Sequence, residues 1–138
     1  MPLTSRQMFA AGVALVVAGC GEDKPAEYVS QTGFQPFIHK REGDRITYTM
    51  LDVISEDGPL VRYVTKQQVA PGGPVGGMVN YASRRGDCHR LLYQTLGEGD
   101  TAAKMERDRP ENQWVELVNG SSATAALVTA CQVAKKLK

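Results

Sequence analysis

Arg45-Ile-Thr-Tyr-Thr-Met-Leu-Asp-Val-Ile54 is the stretch that decides the fold. It is crowded with β-branched and aromatic residues, which fit a pleated, half-buried surface better than a helix. Its alternation predicts a strand with Ile46, Tyr48 and Met50 on one face and Thr47, Thr49, Leu51 and Val53 on the other. Upstream, Phe34-Gln-Pro-Phe-Ile-His39 is a short extended segment, and Pro36 suits an edge strand or a strand start. Lys40-Arg-Glu-Gly-Asp44 is the polar turn between the two. Downstream, Glu56-Asp-Gly-Pro59 is a turn into a second long strand, Leu60 to Val69. In that strand Val61, Tyr63 and Val69 face one way, while Arg62, Lys66 and Gln68 face water.

Farther out the same period of two continues. Ala70-Pro-Gly-Gly-Pro-Val-Gly-Gly77 reads as a mobile hairpin loop, since no Gly-Lys-Ser/Thr follows to make it a phosphate cradle. Met78 to Ser83 and Cys88 to Leu96 are two further strands, joined by a turn at Arg84-Arg-Gly-Asp87. Arg84 and Arg85 are expected there as solvated edge charges. Arg85-Gly86-Asp87 spells the integrin tripeptide, a three-residue match that arises often by chance. Gly97 to Asn112 is polar and breaks the pattern. Gln113 to Val118 is a last short strand, with Trp114 as a core or rim anchor.

Beyond Asn119-Gly120 the period changes. Ser121 or Ser122 is placed to cap a helix, and Ala123, Ala126, Leu127, Ala130, Cys131 and Ala134 form one apolar stripe along it. Lys135, Lys136 and Lys138 crowd its end, where the helix dipole favours cations. The expected fold class is therefore α+β: an antiparallel sheet of five or six strands packed against one C-terminal helix.

The chain has 138 residues, 42% hydrophobic and 22% charged, enough for one globular domain and too few for two cores. All acidic residues and every basic residue except Arg6 lie beyond Cys20, so that part carries 15 basic against 15 acidic side chains. A neutral domain lacks the cationic surplus of a nucleic-acid binder, and that class is set aside.

The N-terminus carries an address. One cation, Arg6, precedes an apolar run from Met8 to Gly19, too short for a permanent bilayer span and the right size for a secretory h-region. Val17-Ala18-Gly19-Cys20 resembles the bacterial lipobox, in which cleavage precedes a cysteine whose sulfur accepts the diacylglyceryl group. The expected organisation is a lipoprotein signal peptide over 1–19, lipidated Cys20 with a flexible tether over 20–26, and one domain over 27–138. Gly21, where enterobacterial lipoproteins retained in the inner membrane have aspartate, favours the outer membrane.

Export would place Cys88 and Cys131 in an oxidising compartment, and two is the number one bridge needs. A bridge would close a loop of about 44 residues and contribute roughly 4 kcal/mol by the chain-entropy model. The competing readings make Cys88 a nucleophile with His89 as base, or a metal ligand with His89 and His39. Neighbours on a strand point to opposite faces, and the spacing fits no zinc pattern, so the disulfide is preferred. No cofactor and no catalytic constellation is read from the sequence. An enzyme built on His39 or His89 with Asp44, Asp52 or Asp87 ranks last.

Phe37 to Tyr48, Val64 to Gln68, Gly86 to Leu92, and Trp114 to Val118 together with Cys131 resemble the surface-adhesin protein E family of bacterial lipoproteins. That resemblance implies an antiparallel sheet on one C-terminal helix and a lipid-anchored binding module. It further implies adhesion to host matrix proteins or plasminogen. A C-terminal lysine suits the cation-and-carboxylate pockets of plasminogen kringles, which makes Lys135, Lys136 and Lys138 the candidate partner-binding residues. The alternative reading is a structural or accessory lipoprotein of a periplasmic complex. Both readings imply a membrane contact through the lipid and a protein partner.

Overall fold

A computed structural model describes residues 26–39, 45–110 and 113–137. Six strands form one antiparallel sheet: β1 (Phe37–His39), β2 (Ile46–Ser55), β3 (Leu60–Val69), β4 (Val79–Asp87), β5 (Leu92–Gly99) and β6 (Val115–Glu116). Their spatial order equals their chain order, and the chain between β5 and β6 carries a short helix. Among the described residues two helices accompany the sheet, α1 (Ala102–Arg107) and α2 (Ser122–Val133). The expected α+β sheet on a C-terminal helix is what the chain forms.

Helix α2 covers one face. Leu127, Ala130 and Cys131 on its inner stripe have no exposed surface and pack with Met50, Val53, Val61, Tyr63 and Cys88. Gly86 on β4 admits the helix: a Cβ there would sit 2.1 Å from Leu127 Cδ1. The Cys88–Cys131 disulfide, with Cα atoms 5.7 Å apart, fixes the helix to the sheet.

The opposite face is covered more thinly. The segment from Tyr28 to Thr32 lies beside β2, and α1 lies beside β5. Between them Val64, Tyr81, Ala102 and Met105 form a second, smaller core. Gly97 and Gly99 permit the approach of α1. A Cβ at Gly97 would lie 2.2 Å from the Met105 carbonyl oxygen, and one at Gly99 would lie 2.6 Å from Lys104 Cβ.

Four expectations need correction. First, a bulge between Met50 and Asp52 moves Val53 onto the Met50 face, where it joins the α2 core while Leu51 packs with the other cluster. An extra residue on one strand reverses the alternation after it. Second, β4 runs on through Arg84, Arg85 and Gly86, and the turn falls at Cys88 to Leu91. Asp87 Oδ1 accepts from the amides of His89 and Arg90, both at 2.9 Å, which closes the chain there.

Third, the two arginines lie on an interior strand and are not edge charges. Their long stems cover the sheet while their heads find partners at its margins. Arg85 meets Glu56, and Arg84 lies over the Tyr93 ring. Fourth, the polar stretch after Gly97 contains α1, which is one and a half turns long. Thr101 caps it by accepting from the Lys104 amide at 3.1 Å. The loop after β3 is gathered by Arg45, whose Nη2 donates to the carbonyls of Ala70, Pro71 and Gly72.

Candidate functional site

The thinly covered face holds the charged machinery of the domain. At its N-terminal side is Asp52, whose exposure is 0%. The bulge turns its carboxylate toward the segment that precedes β1. Tyr28 Oη donates to it at 2.8 Å, Ser30 Oγ at 2.9 Å, Thr32 Oγ1 at 2.6 Å and the Gln31 amide at 2.7 Å. The Val53 amide adds a fifth donor at 3.1 Å. Burial opposes the charge, but the hydrogen bonds from Thr32, Gln31, Tyr28 and Ser30 outweigh it and hold the carboxyl below its ordinary range. In turn, burial and the bond to Asp52 push the Tyr28 phenol well above its ordinary value. This is a latch rather than a reactive dyad, because every oxygen lone pair that points inward is already engaged.

Farther along the same face, Glu56 leaves the end of β2 and meets two guanidinium groups. Arg85 Nε donates to Oε1 at 2.6 Å and Arg85 Nη2 to Oε2 at 3.2 Å, a two-pronged pair, while Arg62 Nε approaches Oε2 at 3.4 Å. The Arg85 hydrogen bonds hold the Glu56 carboxyl below its ordinary range against the effect of burial. Gln94 lies next to Arg85 at 3.4 Å. Beyond it stands Trp114, 43% exposed, so that Glu56, Asp57, Leu60, Arg85, Gln94 and Trp114 line one open, shallow depression. It offers a flat indole, an oriented guanidinium pair and hydrogen-bonding rims.

The sequence-predicted site residues fall in different places. Cys88 and Cys131 are joined, which removes Cys88 as a nucleophile. Lys136 is not a free cation: its Nζ donates to the carbonyls of Glu56 and Leu60, the latter at 2.8 Å. It therefore ties the C-terminus to the turn that carries Glu56, at the margin of the Trp114 depression. Lys135 is exposed, with φ of 58° just past the helix end. The Lys135 and Lys136 amides donate to the carbonyls of Gln132 and Cys131, which closes the helix in a Schellman pattern. Cys20 and Lys138 lie outside the described residues.

Among the described residues no group of three or more His, Cys, Asp or Glu side chains could hold a metal ion. No described helix is long and apolar enough to cross a membrane. Sequence reasoning missed the Asp52 latch and the Glu56–Arg85 pair. The first had a signal: an aspartate between the apolar Leu51 and Val53 of a strand needs donors, and Ser30 and Thr32 lie upstream. The second had none, because it depends on the register of three strands.

Comparison of the chain with known protein families, with curated proteins and with solved structures found no match.

Proposed function

We propose that this chain is a lipid-anchored binding module of the bacterial cell envelope, held at the membrane through Cys20. The face with Trp114 and Arg85 is the one it offers to a protein partner. The observation that carries the reading is a half-exposed tryptophan beside a guanidinium fixed on Glu56. Tryptophan and arginine dominate the residues that anchor protein interfaces, and a guanidinium already held in place loses little freedom on binding. The lipobox-like N-terminus supports the address, and the resemblance to surface adhesins supports host matrix proteins or plasminogen as partners. The engagement of Lys136 shifts the expected contact from the C-terminal lysines toward the neighbouring Trp114 depression.

Two measurements test the proposal together. Trypsin added to intact cells should remove the domain if it is displayed outside, and full protection would place its partner on the periplasmic side. Binding of the purified full-length protein to immobilised plasminogen should weaken by about 2 kcal/mol in Trp114→Ala, with the thermal transition unchanged. Equal binding by wild type and Trp114→Ala would remove this face from the proposal.

A further inference from the structure

On the α2 side of the sheet, away from the Trp114 depression, two donors lie together with no acceptor among the described residues. Tyr63 is 1% exposed, and its Oη has no hydrogen-bond partner among the described residues. Arg84, its direct cross-strand neighbour on β4, has a buried Nε that has none either. Buried polar atoms without partners are rare in native folds, and each asks for an ion, a ligand group or a water. These two do not satisfy one another.

Electrostatics narrows the choice. Arg62 and Arg85 share Glu56, and Lys104 meets Asp100, but Arg84 forms no ion pair among the described residues. It is a half-buried cation whose charge is always present. Its guanidinium carbon lies 5.3 Å from the centroid of the Tyr93 ring, a cation–π contact. Burial keeps the Tyr63 phenol protonated well above its ordinary range, in spite of the neighbouring Arg84 charge. The phenol therefore arrives as an O–H donor beside a cationic N–H donor.

We propose that Tyr63 Oη and the Arg84 guanidinium, walled by the Tyr93 ring, form a seat for an oxyanion, either a carboxylate or a phosphate. A planar guanidinium matches both groups, and an anion supplies the charge that Arg84 lacks together with acceptors for both donors. Water would satisfy the hydrogen bonds but would leave the cation without a counter-charge. The seat is on the opposite side of the sheet from the proposed partner face, so either proposal can fail without the other.

The test uses the full-length protein at fixed ionic strength, with sodium phosphate and sodium acetate as separate probes against sodium chloride. Binding is read from the Arg84 Nε–H resonance and from the melting temperature. A phosphate or an acetate response in both readouts supports the seat and says which oxyanion it takes. Arg84→Gln should weaken the response about tenfold or more, through loss of a charge-assisted bond. Tyr63→Phe keeps the ring and should weaken it less. An Nε–H signal in the wild type that neither probe moves would overturn the proposal and leave water in the seat. An undiminished thermal response in a folded Arg84→Gln variant would do the same. The wild-type resonance decides the matter even where a variant does not fold.

Discussion

On the α2 face the buried groups are Leu127, Ala130 and a half-cystine, while on the α1 face the most deeply buried side chain is a carboxylate. The first face is closed by a twelve-residue helix, close packing over Gly86 and a covalent bond. The second is closed by a six-residue helix and by a segment without regular structure that four hydrogen bonds hold on Asp52. Apolar burial is non-directional and needs area, which a full-length helix provides. A short segment cannot supply that area, so charge-assisted hydrogen bonds take its place. The thinly covered face has room for the Glu56–Arg85 pair and the exposed Trp114.

The largest effect expected is on the α2 face. Replacement of Cys88 and Cys131 by alanine should cost about 4 kcal/mol and lower the melting temperature by roughly 10–15 °C. Calorimetry of the double variant against the oxidised wild type measures it. A loss below 1 kcal/mol would mean that packing alone holds α2, and the contrast with the other face would shrink to one of helix length.

Next is the latch. Asp52→Ala leaves several part-buried donors without their acceptor and should cost about 2 kcal/mol, with hydrogen exchange rising first in residues 28–34. Its pH dependence has a definite sign. The folded carboxyl titrates below its ordinary value, so its stabilisation is complete above that value and is lost as the pH falls through the folded one. Glu56 shifts in the same direction and contributes in the same acidic range. Asp52→Asn should therefore flatten the loss of stability in acid. An equally steep acid profile in Asp52→Asn would assign the acid sensitivity to Glu56 and other carboxylates.

The two faces also differed in how readable they were from the sequence. The α2 face was legible, since the stripe from Ala123 to Ala134, the Ser121 cap and the paired cysteines are periodic or local signals. The strand alternation from Ile46 to Met50 was legible for the same reason. What was not legible depended on one-residue events and distant meetings. The extra residue at the Met50–Asp52 bulge sent Val53 to the other face, a change that no pattern of hydrophobicity announces. Helix α1 has two buried residues, Ala102 and Met105, too few for a period to show. The turn at Cys88 to Leu91 was misplaced because charged Arg84 and Arg85 resemble turn residues until Tyr93 and Glu56 are seen beside them.

The smallest effect compares the faces through one chemistry. Both helices begin on a hydroxyl cap in extended conformation: Thr101 accepts from the Lys104 amide at 3.1 Å, and Ser121 accepts from the Thr124 amide at 3.2 Å. Loss of such a cap costs about 1 kcal/mol in either helix. Where that loss appears should differ. Helix α2 is tied through Cys131 and the core, so it unfolds only with the sheet, and Ser121→Ala should lower the global melting temperature by a few degrees. Helix α1 is short and bound mainly by Ala102 and Met105, so it can detach while the sheet persists. Thr101→Ala should therefore leave the global transition almost unchanged and raise hydrogen exchange across residues 102–107. A global loss for Thr101→Ala as large as that for Ser121→Ala would show that both faces unfold as one cooperative unit. The division of labour between them would then be one of composition and not of stability.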